Sequence, residues 1–369
     1  MFLNFCILIF RKKKNKKFVY ITLLAIILFL TFHYLVWNIF TYKILNPKPY
    51  TIGDLSRISY QLDSIHNRID GVDLSKTHIT YKDFDNKKID IITIGDSFSK
   101  GAAGGKNPFY QDYISTICNI NVLNISNLDS NYTFIETINS LIDNGWIEKI
   151  KPKIIIIETV GREFYDHYAR NQNWEIKLDD NFEEKLYNQK WRDNIEIPSF
   201  INTANYKVLF YSLLYNFKIN AKDSVYKFEL TKDLFSVKNK NSLLIYEEDI
   251  KNLKYFTDSN IEQINQNFNH LSDKLKNIGI ELFLMPAVDK YDLYYPFIKN
   301  NYFNENDLFK YLRNVNKNYY LIDTKKILEE ELLKNEVDIF YADDTHWSYK
   351  ASEAIANNLK KEIDDVIYK

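Results

Sequence analysis

The sequence predicts an α/β domain built on a parallel sheet and preceded by one N-terminal transmembrane helix. Three observations carry that prediction: an unbroken apolar stretch near the amino terminus, short strand-like runs alternating with longer helical patterns, and four consecutive isoleucines inside one of the runs. Composition sets the frame. Of 369 residues 46% are hydrophobic and 26% charged, with a formal net charge of −1, a globular balance that gives no reason to invoke nucleic acid. Cys6 precedes the apolar stretch and Cys118 alone falls in the main domain, so that domain has no internal disulfide, and no Cys/His cluster shows zinc spacing. No cofactor or metal is expected.

Phe18 to Phe40 contains no Asp, Glu, Lys or Arg. It exceeds the roughly 20 residues a helix needs to cross the hydrocarbon core. Arg11, Lys12, Lys13, Lys14, Lys16 and Lys17 stand just before it. By the positive-inside rule, residues 1–17 form a cytoplasmic basic stub, 18–41 a signal-anchor, and the rest faces the periplasm from the inner membrane. Tyr34, Trp37 and Tyr42 suit the outer aromatic belt. A cleaved signal peptide is the competing reading, disfavoured by the length of the span and the lack of a small-residue cleavage site. Residues 42–88 read as a stalk or lead-in, with a short amphipathic piece around 55–69.

The main domain runs from 89 to 369. Strand-like runs fall at 89–94, 122–125, 153–158, 280–285 and 319–322; the third, holding Ile154 to Ile157, suits a strand covered on both faces. Helical patterns occupy 108–118, 132–145, 247–278, 305–315, 325–334 and 349–367, the long one stopped by Gly279. Such alternation implies a parallel sheet with helices on both faces. Between about 170 and 246 the alternation lapses into an aromatic, charged stretch (Trp174, Trp191, Phe210, Tyr211, Tyr215), read as an insertion over the sheet edge or the site.

Two segments carry the chemistry. Gly95-Asp96-Ser97 follows a strand, at the end where open parallel sheets place ligands. Four of the nine glycines (Gly95, Gly101, Gly104, Gly105) cluster there, permitting tight turns and close approach by a ligand. Near the carboxyl end, Asp343-Asp344-Thr345-His346-Trp347-Ser348 offers a histidine with acids at both useful offsets. Serine, histidine and carboxylate together are the inventory for nucleophilic acyl chemistry. The bland alternative for Ser97 is a helix cap. A phosphate loop fails, because the glycine-lysine spacing is absent and Asn107 follows Lys106.

In this order, the Gly-Asp-Ser strand end and the Asp-x-His-Trp segment resemble the SGNH (GDSL-like) hydrolase superfamily, and within it the alginate O-acetyltransferase-like branch. The resemblance covers about 89–369 apart from the insertion. It implies a flavodoxin-like three-layer α/β/α sandwich and a catalytic triad of Ser97, His346 and Asp344, with Asp343 the alternative acid. It places Ser126 nearest to the usual oxyanion glycine, and Arg162 and Lys290 by the substrate. The usual third-block asparagine is replaced by Glu158-Thr159-Val160-Gly161-Arg162. The implied activity is O-acetyl transfer onto a cell-envelope polysaccharide through an acetyl-serine. The donor would be an acetylated carrier supplied by a membrane-bound O-acyltransferase partner. A carbohydrate acetyl esterase with the same triad, and a non-catalytic glycan-binding or assembly protein of this fold, are the alternatives.

Overall fold

The computed structural model describes residues 16–45, 52–66, 68, 71–85, 87–186, 198–220 and 224–368. Most of the basic stub, residues 46–51 of the lead-in and Trp191 lie outside them. The eight described strands are β1 (Ile79–Thr80), β2 (Ile91–Ile94), β3 (Val122–Ile125), β4 (Ile154–Val160), β5 (Val225–Glu229), β6 (Ser242–Tyr246), β7 (Glu281–Ala287) and β8 (Tyr320–Leu321). Six form one sheet in the order β1-β3-β2-β4-β7-β8. Every pairing in it is parallel. The edge strand β1 falls within the stretch read from sequence as lead-in.

The isoleucine run shows why the sheet is buried on both sides. Ile154 and Ile156 join one core layer, Ile155 and Ile157 the other, and all four have no exposure. Each such burial is worth roughly 1.5–3 kcal/mol, which an alternating polar strand would forgo on one face. Helices Tyr110–Cys118, Thr324–Leu333 and Tyr349–Ile367 close the first layer. Phe134–Asp143, Asp258–Lys276 and Leu308–Asn314 close the second.

Local chemistry fixes the helix starts. Thr133 and Glu136 form a reciprocal capping box, and the Ser348 side chain caps the last helix, directly after the histidine segment. The single long helix expected over 247–278 is instead broken into Glu248–Lys251, a 3-10 turn at Asn252–Tyr255 and the helix Asp258–Lys276. Thr257 explains the break: its side chain accepts from the Asn260 N–H and starts the helix afresh. Gly279, at φ 77°, stands just beyond the end as expected.

The insertion is ordered in its own way. It holds helices Phe182–Leu186 and Ala204–Asn216 and an antiparallel hairpin of β5 and β6. The hairpin rests on the lead-in helix Asp54–Ser59 through Leu55, Val225 and Leu244. The 204–216 helix meets the N-terminal apolar helix, where Val36, Ile44 and Val208 form a small core. Much of the insertion therefore packs against the lead-in and the apolar helix. That apolar helix, Lys16–Leu45, is long and apolar enough to cross a membrane; Trp37–Thr41 within it is wound as a π-helix.

Candidate active site

Strand β2 ends in Ile94, and the chain turns sharply through Gly95, Asp96 and Ser97. Two carboxylates fix that turn. Asp96 accepts from the Phe98 N–H at 2.9 Å and the Val160 N–H at 2.7 Å, tying the turn to the end of β4. Glu158 Oε2 accepts from the Ser99 N–H at 3.1 Å and its hydroxyl at 2.8 Å. Gly95 has to be glycine, since a Cβ would come within 2.4 Å of Glu158 Oε2. Burial, and after it the nearby Asp96 charge, push the Glu158 carboxyl well above its usual range. Glu158 therefore resists ionisation where it braces the turn.

Ser97 is partly exposed at the strand ends, and its hydroxyl lies 2.7 Å from His346 Nε2. On the other side of the ring, Nδ1 lies 2.6 Å from Asp344 Oδ1, which also accepts the His346 backbone N–H at 3.0 Å. Burial alone would raise the Asp344 carboxyl. His346 and then Arg68 outweigh it and hold the group below the usual carboxylate range. An ionised Asp344 can only accept, so the imidazole proton sits on Nδ1 and the Nε2 lone pair faces Ser97. Phe98 packs on the His346 ring at 4.7 Å and on Trp347 at 4.6 Å, fixing the plane of the imidazole.

The two acids divide. Asp344 meets the histidine; Asp343 turns away and accepts from the Gly53 N–H at 2.8 Å. Arg68 spans both, with 2.8 Å to Asp343 Oδ1 and 3.0 Å to Asp344 Oδ2, and it stacks over Tyr341. Asp54 accepts the Thr345 N–H at 2.8 Å. A Cβ on Gly53 would fall 2.0 Å from the Asp343 carbonyl. The lead-in is thus a wall of the site, and Gly53, Asp54 and Arg68 escaped sequence reasoning. Gly53, in a chain with nine glycines, was the one available hint.

The other expected site residues stand elsewhere in the chemistry. Lys290, expected by the substrate, is buried and spends all three ammonium protons on the carbonyls of Tyr341, Ala342 and Asp344, at 2.8–3.0 Å. It staples the 341–344 segment and has no donor left for substrate; burial lowers its pKa to about 8. Arg162, also expected there, is buried between Asp249 at 3.0 Å and Asp289 at 3.3 Å. Ser126 follows the end of β3, beside Gly95 by strand register. Its N–H is spent on the Leu186 carbonyl at 3.2 Å, but its buried hydroxyl has no partner. The backbone donor expected there is occupied. Asn124, on the same strand, is committed to the Ser99 carbonyl at 2.8 Å.

Asp54, Asp344 and His346 converge closely enough to hold a cation. Their ligand atoms already serve Thr345, Arg68 and the His346 Nδ1 proton. What the arrangement can do without further groups is move a proton from Ser97 to His346. Comparison of the chain with protein-family models, curated proteins and solved structures finds no match.

Proposed function

We propose that this chain is a membrane-anchored, extracytoplasmic serine O-acetyltransferase acting on a cell-envelope polysaccharide. The observation that carries the reading is the hydrogen-bonded run from Ser97 through His346 to Asp344, with Ser97 partly exposed and the two partners buried. Set β1 aside, and the remaining strand order, β3-β2-β4-β7-β8, is the 2-1-3-4-5 order of flavodoxin-like sheets. That order supports the SGNH assignment made from the motifs.

In the reaction, His346 Nε2 takes the Ser97 proton as Oγ attacks the acetyl carbonyl of the donor. The tetrahedral oxyanion is met by the Ser97 N–H. Collapse expels the donor alcohol, which receives the proton from His346, and leaves acetyl-Ser97. A sugar hydroxyl, deprotonated by the same imidazole, then takes the acetyl group, and His346 returns that proton to Ser97 Oγ as it leaves.

Position favours a membrane-borne donor. The apolar helix ends at Leu45, and Gly53 already touches Asp343. Eight residues of chain reach at most about 29 Å, so the catalytic acids stay close to the end of the span. An acetyl carrier presented by a membrane-bound O-acyltransferase would be within reach.

The test pairs a cell measurement with a chemical one. Replacing Ser97→Ala in the native host should abolish O-acetylation of the envelope glycan, and wild-type protein given 4-nitrophenyl acetate should carry a 42 Da adduct (about one acetyl group) on Ser97. Unchanged glycan acetylation in the variant would sink the transferase reading. An adduct discharged to water and never to glycan would mark an esterase.

A further inference from the structure

The insertion helix Ala204–Asn216 is apolar on two faces. Ala204, Asn205, Val208 and Tyr215 are buried against the protein. Tyr206, Leu209, Phe210, Leu213 and Phe217 recur at i, i+3, i+4, i+7 and i+11, a single helical stripe, and are 40–70% exposed. Phe200, Ile201 and Ile219 extend the patch beyond both ends. A contiguous exposed apolar patch of this kind marks a contact surface.

What covers it is indicated by what it touches. Val208 packs with Val36 and Ile44 of the apolar N-terminal helix, and Tyr206 stacks on Phe32 at 5.0 Å. His33, well inside that helix, is 2% exposed. Asn205 Nδ2 donates to its Nδ1 at 2.7 Å, and the Tyr206 hydroxyl meets its Nε2 at 3.2 Å. A histidine in a membrane span needs polar partners shielded from lipid, and the 204–216 helix supplies both. His33 stands seven residues before Phe40, about 10 Å along the axis. The end of the insertion helix that holds His33 therefore lies at that depth, and its exposed stripe continues the exposed apolar surface of the span.

We propose that the 204–216 helix is seated in the outer leaflet beside the span, its exposed stripe covered by lipid acyl chains. The inference rests on the reading of Phe18–Phe40 as membrane-crossing and adds a second point of insertion. Two contacts with the bilayer fix orientation where a lone helix would leave the domain to swivel. The β5–β6 hairpin follows this helix and rests on the 54–59 helix, next to the Gly53 and Asp54 contacts with the Asp343–Thr345 segment. Seating the helix thereby sets how Ser97 faces the membrane.

The test uses the full chain in phosphatidylcholine/phosphatidylglycerol vesicles, with Cys6→Ser and Cys118→Ala removing the native thiols. Single cysteines carry an environment-sensitive fluorophore at Leu213 or Phe217, at Leu28 in the span, and at exposed Lys238 on the body. Expected is a blue-shifted emission at 213 and 217, lost to nitroxides on the lipid acyl chains as it is at 28, while 238 stays quenchable only from water. Quenching at 28 but not at 213 and 217, with those two open to aqueous iodide, overturns this proposal alone. So does a blue shift at 213 insensitive to lipid nitroxides, which would place a protein partner or a second copy on the stripe. No lipid quenching at 28 overturns the membrane-crossing reading as well.

Discussion

Removing Arg68 tests whether the lead-in holds the site together. The guanidinium is almost fully buried, lies 2.8 Å from Asp343 and 3.0 Å from Asp344, and donates to the His66 carbonyl at 3.0 Å. At 3 Å and an effective dielectric near 20, each carboxylate contact is worth roughly 5 kcal/mol before desolvation is subtracted. After that subtraction, breaking a buried pair by deleting one partner typically costs about 3–5 kcal/mol, because the other charge is stranded. Lys290 remains against the same segment, so Arg68→Met should sit near the lower end, about 3 kcal/mol. At about 2–4 °C per kcal/mol for domains somewhat smaller than this one, the thermal midpoint should fall by about 5–10 °C. Adding Asp343→Asn removes one stranded charge and should restore about half of the loss. The assay is thermal unfolding of the detergent-solubilised full chain, followed by tryptophan fluorescence. A midpoint for Arg68→Met within about 1 °C of wild type, below what a stranded buried charge allows, would refute the reasoning. So would a double variant no more stable than the single one.

The two acids should separate kinetically. Asp344→Asn should cut 4-nitrophenyl acetate turnover by about 10³–10⁴-fold, through the wrong imidazole tautomer. Asp343→Asn should lower the thermal midpoint while leaving turnover within about tenfold, since it never touches the ring; equal kinetic losses would reverse the assignment. Glu158 gives the pH test. Its folded carboxyl is raised above the ordinary 4.5, so the folded state binds more protons than the unfolded one in that window. Its contribution to stability is full below about 4.5 and declines as pH rises towards the folded value. Glu158→Gln, a neutral isostere, should keep the fold and flatten that decline in denaturant midpoints taken from pH 5 to 8; an unchanged slope would mean the carboxylate is ionised.

How much of this was legible follows from where each signal resides. Periodicity is local, so the five principal strands and the final helix, Tyr349–Ile367, could be placed from sequence closely, and the buried isoleucines could be assigned to a two-faced strand. Ser97 and His346 were legible because each sits at a recognisable local device, a strand-end glycine turn and a segment capped by Ser348. The break at Thr257 was missed because a single capping side chain outweighed an otherwise continuous helical pattern. Choosing between Asp343 and Asp344 was beyond spacing alone. Both offsets let an acid reach the ring, and what decides is Arg68 with Gly53, which claim Asp343 from 275 and 290 residues away. Lys290 shows the converse. A lysine next to the site spends its donors on carbonyls of the 341–344 segment, so proximity was readable but direction was not. The insertion was opaque for a related reason. Its 204–216 helix carries apolar residues on both faces, so it shows no single amphipathic period, and its order comes from contacts with the apolar N-terminal helix and the lead-in. The pieces least visible in the sequence are thus those that join the apolar N-terminal helix to the Ser97–His346 site. On the proposed reading, in which the donor arrives from the membrane, that junction sets how Ser97 would meet it.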